Sequence, residues 1–217
     1  MARLAILGGT GPEGRGLGLR FAAAGEAIAV GSRDPARAEA AAAAIRAAVP
    51  GADVSAGENI AVLGSAAIVV LAIPFAGLAP LLERSAAALD GKLVIDVIVP
   101  VALRSGLFEL LPVPGASSVG ELIQATVPGA RVVTAFKNLS AKTLIDLGTP
   151  LEGDVVVCTD DERARGAVIA LVRRLSDLRA VDGGALANGR YTEAVSVLLL
   201  NLNRRHHART SIRIIGL

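Results

Sequence analysis

Gly9-Thr10-Gly11-Pro12-Glu13-Gly14, a G-x-G-x-x-G, lies directly behind the apolar run Leu4 to Leu7 and just before a helical pattern from Arg15 to Ala24. Strand, glycine turn and helix in that order are the setting in which this spacing holds a dinucleotide. Gly9 permits the tight turn, and Gly11 lets the backbone approach a pyrophosphate. Gly14 lets the helix pack close to the strand, with the phosphates at the helix N-terminus. A second polar group follows the next apolar run: Ser32-Arg33-Asp34-Pro35-Ala36-Arg37. A site for NAD places Asp or Glu about 20 residues beyond the fingerprint to hold the ribose 2′-hydroxyl. Here the position offers a hydroxyl and two guanidinium groups, whose planar donors suit a phosphate. Asp34 and Pro35 read as an N-cap and first helical position, so the helix dipole also favours an anion there. The expected cofactor is NADP(H) rather than NAD.

These groups need a parallel sheet to position them. Ala66 to Ile73 is apolar throughout, as a strand covered on both faces requires, and Pro74 ends it. Strands over Lys92–Val97 and Arg131–Ala135 exit at Ile98-Val99-Pro100 and at the polar break Phe136–Ser140. In an open α/β sheet, ligands bind at that carboxyl edge. Ile73, Pro74, Val97, Ile98, Lys137 and Asn138 are therefore the candidates for its wall. The expected fold class is α/β, a Rossmann-type doubly wound, mainly parallel sheet with a small C-terminal α/β portion. Residues 1–137 would bind NADP, and residues 138–217 would supply acceptor-site and dimerisation elements.

The remaining elements follow in order. A short strand over Asp53–Ser55 precedes helices over Asn59–Ser65 and Ala76–Leu89. Arg104 to Gly115 reads as a loop-rich connection, and a helix capped by Ser117 or Ser118 ends near Val127. A strand over Leu151–Cys158 leads to a helix over Asp161–Leu175. Leu186 to His207 reads as one helix, with Ala194 to Leu202 apolar on nearly every face. Such a helix must be buried, and a second protomer can bury it, so a homodimer is expected. Thr210 to Leu217 reads as an extended strand.

Hydrophobic residues make up 53% of the 217, but aromatics only 2%, so the core must be built from Ala, Val, Leu and Ile. A net charge of +2 with so few aromatics stands against nucleic-acid binding. No apolar run reaches the length of a membrane span, and the first is too short for a signal peptide; a cytoplasmic protein is expected. Cys158, the single cysteine, reads as a buried thiol rather than a nucleophile. His206 and His207 are adjacent and cannot share a helix face, so they suit a helix C-terminus better than a metal. Asp160-Asp161-Glu162 suits a helix cap, and no metal is expected. Asp96 and Asp182 are candidate buried carboxylates without an evident partner.

The fingerprint with Gly8, the strand end Gly31-Ser32-Arg33-Asp34, Ala72-Ile73-Pro74-Phe75 and Ala135-Phe136-x-Asn138-Leu139-Ser140 together resemble the NADPH-dependent coenzyme F420 reductase family. So does the tail, Leu199-Leu200-Asn201-Leu202-Asn203-Arg204-Arg205 with Ile215-Gly216-Leu217. The resemblance runs from end to end. It implies direct hydride transfer between a nicotinamide and a bound 5-deazaflavin, and a dimer. It places Thr10, Ser32, Arg33 and Arg37 around the 2′-phosphate and Leu217 in the wall around the rings. Two positions depart from the family pattern. Lys137 stands where the family usually has His, and Val97-Ile98-Val99-Pro100 lacks the polar residues often found at that exit. Lys137 could pair with negative charge developing on a reduced ring, or be a surface lysine. A flavin or pterin acceptor, and a non-catalytic NADP sensor, stay open as alternatives. Hydride transfer itself asks for two stacked rings, with no dedicated acid or base.

Overall fold

The computed structural model describes residues 3–175 and 177–217. Its first half alternates strand and helix: β1 (Arg3–Leu7), α1 (Pro12–Ala23), β2 (Ile28–Ser32), α2 (Pro35–Ala48), β3 (Val54–Glu58), β4 (Ala66–Leu71), α3 (Leu78–Leu89) and β5 (Leu93–Asp96). After β5 come a hairpin of β6 (Val101–Arg104) and β7 (Leu107–Leu110), then α4 (Val119–Thr126) and β8 (Arg131–Thr134). The rest comprises α5 (Ala141–Ile145), β9 (Gly153–Val157), α6 (Glu162–Arg173), β10 (Leu178–Asp182) and α7 (Gly189–His206).

Six strands form one parallel sheet in the order β3-β2-β1-β4-β5-β8. The order reverses between β1 and β4, and ligands bind where a doubly wound sheet does so. Side chains alternate across the pleat, and both faces are apolar. Leu4, Ile6, Ile28, Val30, Val70, Ile95 and Val133 face α1, α2 and α6. Ala5, Leu7, Ala29, Val69, Leu71, Val94 and Val132 face α3 and α4. The expected fold class is therefore the observed one. The smaller α/β portion is the parallel pair β9–β10, joined through α6. It meets the main sheet by a single antiparallel bridge between Thr134 and Cys158. Cys158 is buried, and burial pushes its thiol up to about 11, too high for a nucleophile at neutral pH.

Four local expectations need correction. The stretch after Pro100 is a hairpin rather than a loop, because Ser105 and Gly106 both take positive φ (47° and 83°), as a two-residue turn matched to the strand twist demands. Residues 61–65 form a 3₁₀ turn in place of the expected helix. Helix α5, five residues long, was not foreseen. The tail from Thr210 is extended but belongs to no sheet; Asp154 and Arg179 hold it instead. Asp154 N donates to Ile212 O at 2.9 Å, Ile214 N donates to Asp154 Oδ2 at 2.6 Å, and Arg179 bonds both Asp154 oxygens at 2.8 and 2.7 Å. The Arg179 guanidinium keeps the Asp154 carboxyl below the usual aspartate range.

Candidate active site

The glycine turn works by what its residues lack. Gly8 has φ +76°, and a Cβ there would lie 2.5 Å from Ala72 O. At Gly14 a Cβ would stand 2.6 Å from Gly8 O, so any side chain would force α1 away from the turn. Gly11, in contrast, has nothing closer than 3.4 Å, and its open side faces the cavity described below. Helices α2, α4 and α6 are capped by the side chains of Asp34, Ser118 and Asp161. Helix α1 begins at Gly11 and Pro12 with no side-chain cap. Its first-turn N–H groups are thus available to an anion, which fits the pyrophosphate of a dinucleotide.

At the neighbouring strand end, Asp34 accepts from Ala36 N at 2.9 Å and so fixes the start of α2. Ser32 is buried, and its Oγ accepts from Asp34 N at 3.2 Å, leaving the hydroxyl proton free to donate. Arg33 and Arg37 are exposed, and among the described residues neither forms an ion pair. Two guanidinium groups near a hydroxyl are donors of the kind a phosphate accepts from.

A cavity of about 1140 Å³ runs from the start of α1 along the carboxyl ends of β4, β5 and β8 to α7. Ile73, Pro74, Val97, Ile98, Phe108, Leu199 and Leu200 give it apolar walls. The loop after β8 is set by Phe136, which holds φ +60° and packs edge-on to Phe21 with ring centroids 5.7 Å apart. A left-handed phenylalanine is costly, and the buried aromatic contact keeps it in place. Arg20, itself buried, donates to Leu144 O, Thr143 O and Thr149 O at 2.9, 2.7 and 2.8 Å, clamping α5 and the turn after it against α1.

Lys137 is neither a surface lysine nor a free cation. Its side chain is 1% exposed, and Nζ lies 2.7 Å from Asp96 Oδ2 and 3.2 Å from Glu193 Oε1. Nζ also donates to Ile98 O. A buried ammonium needs such partners, and once it has them it has no donor left for a ring in the cavity. Asp96 also accepts from Ile98 N at 2.9 Å, so the ion cluster fixes the Val97–Ile98 exit as well. Burial raises the Glu193 carboxyl above its usual range, and Lys137 partly offsets that. Ser196 donates to Lys137 O at 2.9 Å, which ties α7 to the same loop. Asp182, the other carboxylate noted in the sequence, is exposed and lies 3.2 Å from Arg165 Nε.

A family model described as "NADP oxidoreductase coenzyme F420-dependent" matches residues 3–100. The F420-dependent NADP reductase of Methanocaldococcus jannaschii is 35% identical over 221 residues, covering 99% of both chains. This chain belongs to the F420-dependent NADP reductase family. The enzyme of the same name from Methanothermobacter thermautotrophicus is 33% identical over 223 residues, covering 99% of this chain and 95% of its own. A crystal structure from Arthrobacter sp. FB24, provisionally assigned as an F420-dependent NADP reductase, superposes with a TM-score of 0.81. It is 27% identical and covers 99% and 98% of the two chains.

Within this reductase fold, the cavity gathers Gly11, Pro12, Glu13, Ile73, Pro74, Val97, Ile98, Lys137 and Asn138. Gly9 and Gly14 lie behind it in the turn, and Thr10, Ser32, Arg33 and Arg37 stand outside its lining. Asn138 gives its amide to Asp154 O at 2.8 Å, a tie between the loop and β9. Leu217 is not in the wall. It is 78% exposed, and its carbonyl accepts from Arg179. Phe108, Ser196, Leu199 and Arg204 line the cavity without having been foreseen. Phe108 sits in the unforeseen hairpin, and the helical residues fall in the stretch expected to supply acceptor-site and dimerisation elements but were not among the residues expected in the wall.

Proposed function

We propose that the protein is an NADP-dependent oxidoreductase that moves a hydride directly between NADP(H) and the deazaflavin coenzyme F420. The observation that carries this is one cavity joining an uncapped helix N-terminus to an apolar slot. At about 1140 Å³ it exceeds the 300–1,000 Å³ of most single-ligand sites, so it has room for two ring systems. Gly9, Thr10, Gly11, Pro12, Glu13 and Gly14 would hold the pyrophosphate side, and Ser32, Arg33 and Arg37 the 2′-phosphate. Ile73, Pro74, Val97 and Ile98 would press the rings together and exclude water, with Asn138 and the Lys137 stem closing the far side. NADP(H) and the deazaflavin supply the redox chemistry between them. The protein supplies orientation, since a near-attack separation of about 3–3.5 Å can by itself lower the barrier by several kcal/mol.

We also read residues 1–137 as the dinucleotide half and 138–217 as the half that completes the acceptor side. No helix among the described residues is long and apolar enough to cross a membrane. The protein pairs with a second copy of itself. Helix α7 buries one face but exposes Tyr191 and Leu198 on the other, while the hairpin exposes Leu103 on one face and Leu107 on the opposite one. Phe108 and Asn201 bond the hairpin to α7 at 2.8 and 2.9 Å, so hairpin and helix form one unit that a second copy can cover. Rapid mixing with NADPH and oxidised deazaflavin should bleach the visible band of the latter, with NADH much slower. Reduction of FAD or FMN alone would move the acceptor assignment to a flavin, and tight NADPH binding without turnover would favour a sensor.

A further inference from the structure

Glu13 occupies the second position of α1, in the wall of the cavity. The residue as a whole is half-buried, but its Oε1 is shielded from solvent and has no hydrogen-bond partner in the described structure. The charged groups on the elements around the cavity make no ion pair with Glu13 among the described residues. Lys142 lies on α5, and Arg33, Asp34 and Arg37 lie at the start of α2. Arg15 and Arg20 are on its own helix, while Lys137, Asp96 and Glu193 lie across the cavity with Arg204 and Arg209. Lys137 is spent on its two carboxylates, and Arg20 on backbone carbonyls. Among the described residues no ion pair reaches Glu13, and burial alone pushes its carboxyl up to about 8.

A carboxylate in this place would face the phosphates that the NADP assignment puts at the start of α1, and like charges repel. A neutral acid there would have one O–H to donate. We propose that Glu13 serves the dinucleotide site as a protonated carboxylic acid, donating its hydrogen to the bound pyrophosphate, so that NADP(H) binding requires a proton on Glu13. The proposal rests on the NADP assignment. It makes affinity fall as pH rises through the Glu13 titration, because the ionised form must regain a proton to bind.

The test is the dissociation constant of NADPH, read from its own fluorescence between pH 7 and 9.5. Over that range the 2′-phosphate, with its second pKa near 6, is already ionised. For the wild-type chain the affinity should drop about tenfold between pH 7 and pH 9, as protonation of a single group predicts. Glu13→Gln keeps a neutral donor and should bind with near wild-type affinity at pH 7, changing less than twofold to pH 9. A parallel pH-dependent loss in both proteins, or flat binding in both, overturns the role of Glu13 while NADP binding stands. Loss of binding in Glu13→Gln at every pH, with its thermal midpoint unchanged, also overturns it. Absence of NADPH binding by the wild type at every pH overturns the NADP assignment and this proposal together.

Discussion

Arg33 and Arg37, beyond the end of β2 and in the first turn of α2, stand in solvent with no ion pair among the described residues, whereas Lys137, beyond the end of β8, is sealed between Asp96 and Glu193. All three are cations at the carboxyl edge of one sheet. An exposed guanidinium costs the fold little and remains available to a ligand. A buried ammonium is stable only while its charge is matched, so its donors belong to the protein. Charge at the first end is therefore open to a ligand, and charge at the second is for construction: the cluster fixes the Val97–Ile98 exit and ties α7 to the sheet. Lys137 therefore adds no free donor to the apolar walls beside it, and the cations left to the cavity are Lys142, Arg204 and Arg209 at its rim.

The sharpest way to break this contrast is to remove each cation in turn. Lys137→Met leaves two buried carboxylates facing each other and should cost about 3–5 kcal/mol of stability, measured by urea denaturation. Adding Asp96→Asn and Glu193→Gln to the same chain should recover most of that loss. If Lys137→Met is as stable as the wild type and only turnover falls, the lysine is free for the acceptor after all.

Arg33→Ser with Arg37→Ser should do the opposite. Stability should change by less than about 0.5 kcal/mol, since neither side chain packs or pairs. A charge-assisted hydrogen bond contributes about 1.5–3 kcal/mol, and solvent exposure argues for the lower value at each arginine. Two such bonds make about 3 kcal/mol, so the double variant should bind NADPH about 100-fold more weakly, with NADH affinity within twofold. Equal loss for both nucleotides would remove these arginines from the 2′-phosphate.

The contrast also separates what sequence could reveal from what it could not. Gly9 to Gly14 and Ser32 to Arg37 were legible because each group is local: the spacing itself sets the turn, the cap and the strand end. The surroundings of Lys137 were not, since its partner Glu193 lies 56 residues away and arrives on another helix. One signal was present. Glu193 and Ser196 are polar residues three apart in an otherwise apolar stretch of α7, which marks a buried face that needs partners. The hairpin was legible too, in Ser105-Gly106 between two short apolar runs, but the prolines that follow it suggested a loop. Leu217 was placed by resemblance alone, and the bonds from Arg179 hold it elsewhere.

The smallest expected change concerns the α7 patch, and it separates the two ends by distance. Leu199, Leu200 and Phe108 line the cavity, while Leu198 and Leu107, their sequence neighbours, point outward and are 56% and 60% exposed. A second copy covering that patch would lie directly behind the acceptor slot and far from Arg33. Leu198→Glu places a charge in the patch without touching the core, so each protomer should keep its stability within about 0.5 kcal/mol. In sedimentation the dimer proposed for the wild type should give way to a monomer in the variant, because an unpaired charge at the centre of an apolar interface is not tolerated. NADPH affinity should stay within twofold, while the Michaelis constant for the deazaflavin should rise as the wall behind Leu199 and Leu200 loosens. A dimer that persists in Leu198→Glu would place the interface elsewhere, and a matching loss of NADPH affinity would mean that the two ends are not independent.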